Sequence, residues 1–175
     1  MAQDNDSSGF FSELQAHRGI LFKVARSYCR EPADRDDLIQ EIVVALWRAF
    51  PSFQGRSRFT TWMYQIALNV AISYRRSESV RTRHLVSDEA ELLRAAEYRD
   101  IDSSQVQLLY EFIDELNPFE KALVLLYLDG HSQHEMAYIL GITATNVGTK
   151  IGRIKHALRQ RVAAERNAAV PGETV

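Results

Sequence analysis

The chain has 175 residues, 46% of them hydrophobic and 25% charged, which is enough for one medium domain or two small ones with modest cores. A net charge of -2 and an isoelectric point near 6.2 exclude a uniformly basic coat, although acids crowd the early segments and bases the end. No run approaches the roughly 20 apolar residues that a membrane span needs, and the start, MAQDNDSSG, lacks the basic region and apolar core of a signal peptide, so a cytoplasmic protein without membrane insertion is expected.

Apolar residues recur at helical spacing almost throughout, and alternating β-rich runs bounded by hairpin turns are missing. This predicts an all-α fold. Two helix-dense blocks, 9–78 and 105–166, flank a charged, weakly periodic stretch at 79–104 that reads as a linker, with one helical turn or more around Glu89 to Tyr98. The tail, 167–175, should fray.

In the first block the single cysteine, Cys29, lies between Tyr28 and Arg30 in a helical pattern, cannot form an intramolecular disulfide, and is expected as a buried structural thiol. Pro32 and Asp34 then announce a helix from about Arg35 to Phe50, with Asp36 and Asp37 favoured in its first turn and Pro51 ending it. On a wheel Ile39, Val43, Leu46 and Phe50 form the centre of a buried stripe, while Asp37, Gln40, Glu41, Val44 and Arg48 share the opposite face. Val44 is the odd member of that face. After the loop PSFQGRSRF, Thr60 or Thr61 can cap a helix from Trp62 to about Arg76, apolar nearly all round and so suited to the inside of a bundle.

In the second block Asn117-Pro118-Phe119-Glu120 combines an N-cap, a first-turn proline and a capping-box acid, and Gly130 ends the helix that carries Leu123, Leu126 and Tyr127. Ser132-Gln133-His134-Glu135 repeats the capping box for a short helix ending near Leu140, followed by a Gly141-Ile142-Thr143 turn and a long helix from about Ala144 towards Arg166. This is a helix-turn-helix pattern forming a four-helix domain. Val147, Ile151, Ile154 and Leu158 line one face of the long helix. Thr145, Asn146, Thr149, Arg153 and His156 occupy the other, with Lys150, Lys155, Arg159 and Arg161 around it. Hydroxyl and amide groups backed by cations suit base reading and phosphate contact. Gly148 and Gly152 each cost about 1 kcal/mol of helix propensity relative to alanine. His131, His134 and His156 have no metal-ligand spacing, no partnered nucleophile or phosphate-cradling loop is present, and neither catalysis nor a cofactor is expected.

The segments DDLIQEIVVALWRAF, FQGRSRFTTWMYQIALNVAISYRR and LNPFEKALVLLYLDGHSQHEMAYIL together resemble the extracytoplasmic-function class of the sigma-70 family, the factors that direct RNA polymerase to promoters. The resemblance implies that the first-block helix docks on the clamp helices of the polymerase β′ subunit through Asp37, Gln40, Glu41, Val44, Trp47 and Arg48, with the β subunit also in contact. It implies that the following loop and helix melt and read the minus-ten promoter element. Phe53, Arg56, Arg58, Phe59, Thr61, Trp62, Tyr64, Gln65, Asn69, Arg75 and Arg76 offer the polar edges, aromatic walls and cations that such reading needs.

The second block would read the minus-thirty-five element with Ser132, Thr145, Asn146, Gly148, Thr149, Lys150, Arg153 and His156. Gly148 stands where many members of the family place an arginine. The family also implies an anti-sigma partner. The alternative reading is a helix-turn-helix regulator that binds an operator without polymerase, under which the DDLIQE helix and the aromatic loop have no role.

Overall fold

The computed structural model describes residues 3–82 and 104–168, and the expected turn at Glu89 to Tyr98 and the end of the tail lie outside them. The described residues form eight α-helices and one short 3-10 turn, with no strand among them. The first block holds α1 (Gln3–Ala16), α2 (Gly19–Tyr28), α3 (Pro32–Ala49), the 3-10 turn Phe50–Ser52, and α4 (Phe59–Thr82). The second holds α5 (Ser104–Glu115), α6 (Pro118–Leu128), α7 (Gln133–Leu140) and α8 (Ala144–Ala168).

In the first block α2, α3 and α4 pack on one another. The buried stripe of α3 is centred on Leu38, Ile42 and Leu46, all fully buried, not on Ile39, Val43, Leu46 and Phe50 as the wheel suggests. Ile39, Val43 and Phe50 are half-buried at its flank. The stripe follows strict i, i+4, i+8 spacing, and Phe50 at its flank packs on the rings of Phe10 and Phe59. Cys29 is buried.

Helix α4 begins earlier than expected. The Arg58 carbonyl accepts from the Trp62 N–H at 3.1 Å, so the chain is already helical at Thr60 and Thr61, and Thr61 is buried within the first turn instead of capping it. The helix also runs to Thr82, past the 78 boundary, because the segment SESVRT contains neither glycine nor proline to stop a helix already under way.

The second block follows its cap signals closely. Asn117 and Ser132 each accept from the backbone N–H of a glutamate three residues on, and each glutamate returns the bond to the cap's own N–H. Gly130 and Gly141 sit at φ +78° and +66°. Beside them His131 N–H donates to Leu126 O and Ile142 N–H to Ala137 O, each at 3.1 Å. Both helices therefore close with the six-to-one hydrogen bond that a left-handed residue permits.

The two blocks share one core. Helix α4 packs on α6 and α7, and α2 on α6. Leu38, Met63 and Leu68 of the first block belong to the same buried cluster as Leu123, Leu126, Met136 and Val147 of the second.

Candidate nucleic-acid and protein interfaces

Three surfaces gather the expected residues. On α3, Asp37, Gln40, Glu41, Val44, Trp47 and Arg48 recur at spacings of three and four and are all exposed, so they form one continuous stripe opposite the core. Val44 is 45% and Trp47 43% exposed, a large apolar area to leave in water beside the Asp37 and Glu41 carboxylates. Trp47 is held in place from α1: its ring stacks on Phe11 at 5.5 Å and meets the edge of buried Phe10 at 5.2 Å. Phe11 is itself 57% exposed and enlarges the apolar part of the stripe. Sequence reasoning missed it, although two consecutive phenylalanines in an otherwise polar segment are a usable signal.

The second surface surrounds the start of α4. Phe53 and Phe59 flank the half-buried Trp62, with ring centroids 4.9 and 5.4 Å from it, and Phe50 closes the cluster at 6.2 Å. Trp62 is thus packed on aromatic neighbours while part of its ring stays accessible. Arg56, Arg58, Arg75 and Arg76 are exposed, Gln65 is half-buried and Asn69 is exposed. Asn69 borders a shallow groove with Glu41, Val70, Ser73 and Tyr74, which joins this surface to the α3 stripe. Thr61 and Tyr64 are buried at 8% and 4% exposure.

The third surface is the helix-turn-helix formed by α7 and α8. Thr143 caps α8, its hydroxyl accepting from Asn146 N–H at 3.2 Å. Thr145, Asn146, Thr149, Arg153 and His156 are exposed, on the face opposite buried Val147, Ile151 and Ile154. Several groups on and around this face already have partners within the fold. Thr149 Oγ1 donates to Thr145 O at 3.0 Å, and the Lys150 ammonium lies 5.5 Å from the Phe119 ring. Lys155 sits over Tyr127 and donates to its hydroxyl at 2.7 Å. Arg161 is hydrogen-bonded to Glu115, which raises its pKa, while the same bond holds the Glu115 carboxyl below its ordinary value.

Ser132 is spent on its capping box. Its backbone N–H and its hydroxyl both donate to Glu135 Oε2, at 2.9 and 2.8 Å. Those two bonds hold the Glu135 carboxyl below the usual range, helped by His131 and by Arg58 of the first block. A Cβ on Gly148 would come 3.2 Å from Gln133 Oε1, whereas one on Gly152 would meet nothing within 4 Å.

An all-helical frame that carries a capped helix-turn-helix and, on another helix, an exposed acidic and apolar stripe has the build of a DNA-binding protein with a protein partner. Comparison with known proteins narrows this. Residues 14–81 match the family model for sigma-70 region 2, and residues 106–158 the model for sigma-70 region 4. The chain is 26% identical over 163 residues to the RNA polymerase sigma factor NccH of Alcaligenes xylosoxydans xylosoxydans, covering 88% of this chain and 87% of that one. It is 27% identical over 144 residues to the ECF RNA polymerase sigma-E factor of Escherichia coli K12, covering 74% of each. Its fold is similar, at a TM-score of 0.68 and 19% identity, to the sigma factor RpoE of Bartonella quintana in its complex with the anti-sigma factor NepR, over 89% of this chain and 97% of that one.

The chain belongs to the extracytoplasmic-function group of the sigma-70 family of RNA polymerase sigma factors. As such it binds core RNA polymerase and directs promoter-specific initiation of transcription, in a family of non-enzymatic regulators. Among the described residues no helix is long and apolar enough to cross a membrane.

Proposed function

We propose that this sigma factor docks on the β′ clamp helices of core polymerase through the α3 stripe, with further contact to the β subunit, reads and melts the minus-ten element with the start of α4, and reads the minus-thirty-five element with α8. The observation that carries this reading is the α3 stripe itself. It places Val44 and Trp47 in water next to Asp37 and Glu41 along the same face, where carboxylates steer a basic partner and the apolar groups provide the buried centre of an interface. An operator-binding regulator has no use for such a face.

On this reading α8 approaches the major groove with Asn146 and Arg153 towards base edges, and Gly148 leaves the middle of that face without a side chain. The half-buried Phe53 ring, the exposed Arg56 and the Asn69 amide serve the separated strand near the start site. Each DNA-reading surface binds weakly alone, because the two gain the correct spacing only when polymerase fixes both, an effective-concentration effect. The factor works in the cytoplasm and is held inactive by an anti-sigma protein, as the Bartonella relative is in complex with one.

A gel shift with promoter DNA, with and without core polymerase, tests the proposal. A sequence-specific complex is expected only when both proteins are present. Equally tight, specific binding by the chain alone would favour the operator-binding regulator.

A further inference from the structure

Gly148 lies on α8 between Thr145 and Thr149, at the edge of the exposed face that turns towards α7, and has no side chain to offer there. The gap is filled from α7. A β-carbon built on Gly148 would come 3.2 Å from Gln133 Oε1, 3.5 Å from Nε2 and 3.6 Å from Cδ, so its three nearest atoms are the amide head of one side chain. Gly148 is alone in this among the described glycines, since a β-carbon added at any other meets nothing within 4 Å. The Gln133 amide therefore stands where the root of a side chain at 148 would stand.

The placement is held from both ends. Gln133 is the first residue of α7, directly after the Ser132 cap, and the reciprocal bonds between Ser132 and Glu135, at 2.9 and 3.3 Å, fix the backbone from which it springs. Helix α7 in turn packs on α8, and the left-handed Gly141 with the Ile142 N–H bond to Ala137 O sets the angle between them. Gln133 is nevertheless exposed, as are Thr145 and Thr149 beside Gly148, so the amide is open to a ligand on the face of α8. Thr149 directs its hydroxyl proton to Thr145 O at 3.0 Å, which leaves only its lone pairs facing outward. The Gln133 carboxamide, in contrast, carries a donor and an acceptor side by side in one plane, whichever way it is flipped. That pair matches the N6 amino group and N7 of adenine in the major groove.

We infer that Gln133 is a specificity-determining residue for the minus-thirty-five element, its amide reading an adenine from the place that a side chain at 148 would take. The inference rests on the proposed reading of that element by α8. Gly148 is the permissive half of the arrangement: with no side chain of its own, it admits the α7 amide to the recognition face, and one residue from each helix makes a single reading unit.

Binding of the reconstituted holoenzyme, core polymerase with the full chain, to promoters carrying each of the four bases at every position of the minus-thirty-five element tests this. The unaltered holoenzyme should favour adenine at one position by roughly tenfold. Gln133→Ala should abolish that preference while the other positions of the element keep theirs. Gln133→Glu, an acceptor only and well suited to the first turn of a helix, should transfer the preference to cytosine, whose N4 amino group donates. Gly148→Ala, which pushes the amide aside, should weaken the same preference, and combining it with Gln133→Ala should cause no further loss. An unchanged adenine preference in Gln133→Ala would overturn the inference. So would an equal loss of affinity for every sequence, the mark of a phosphate contact that positions without reading. A holoenzyme indifferent to the whole minus-thirty-five element would instead contradict the reading by α8, and the inference with it.

Discussion

Asn117 and Ser132 perform the same task, each satisfying an otherwise orphaned N–H at a helix start through a reciprocal bond with a glutamate three residues on. Replacing Asn117 by alanine should therefore destabilise the fold by about 1 kcal/mol in chemical denaturation. It should do so without touching the DNA-facing groups of α8, and an unchanged midpoint would show that the cap is idle. Glycines in α8 act in the opposite sense. Gly152→Ala meets open space and should stabilise by about 0.5–1 kcal/mol, while Gly148→Ala should gain less because Gln133 must first shift. Equal gains at both positions would show that Gln133 imposes no restraint on Gly148. Capping boxes were legible because the pattern spans only four residues. The bonds of Asp129 to Lys23, of Tyr28 to the Pro118 carbonyl and of Tyr64 to Asp129 were not, since the partners lie 106, 90 and 65 positions apart and no local pattern encodes such a pairing. Thr61 misled for a related reason: a threonine at a helix start reads as a cap, but here the packing of α4 draws the first turn, and Thr61 with it, into the interior.

At the scale of elements, α3 separates two jobs by angle: Leu38, Ile42 and Leu46 face the core, and the Asp37 to Arg48 stripe faces water. Trp47→Ala removes the largest apolar group of that stripe and should weaken binding to core polymerase by about 2 kcal/mol, some 30-fold. Glu41→Lys should lower the association rate and its salt dependence. Both are measurable by titrating core polymerase with labelled protein, and normal affinity in both variants would remove α3 as the docking element. The stripe was legible because an exposed face carrying Val44 breaks the polar pattern. The exact centre of the buried side was not, because Ile39 and Val43 are as apolar as Leu38 and Ile42 and only the positions of α2 and α4 decide between them. Phe11 of α1 escaped notice because it acts through Trp47, 36 positions further on. The length of α4 was likewise underestimated, since polar composition beyond Arg76 reads as linker when nothing local marks a stop.

For the whole molecule, the all-helical architecture and the order of two helical blocks were readable from periodicity, but their union around a single core was not. Two buried tyrosines make that union sensitive to alkali. Burial raises the pKa of both Tyr28 and Tyr64 above the ordinary 10.0, and at Tyr64 the Asp129 carboxylate raises it further. A raised native pKa means that the contribution is fully present below the unfolded value and is lost as pH climbs through the native one. Stability should hence fall as pH rises above about 10, with two phenols ionising later than the rest by ultraviolet absorbance. Lys121, whose pKa burial lowers, acts in the opposite direction, so the absorbance titration is the cleaner test; tyrosines that all ionise together near their ordinary pKa would contradict it. The most direct test of the central claim is run-off transcription with core polymerase on a promoter selected from a random library. Adding the chain should produce a transcript of defined start that disappears with Glu41→Lys and Trp47→Ala combined and with a scrambled minus-ten or minus-thirty-five element. A transcript yield no greater than that of core polymerase alone would contradict it.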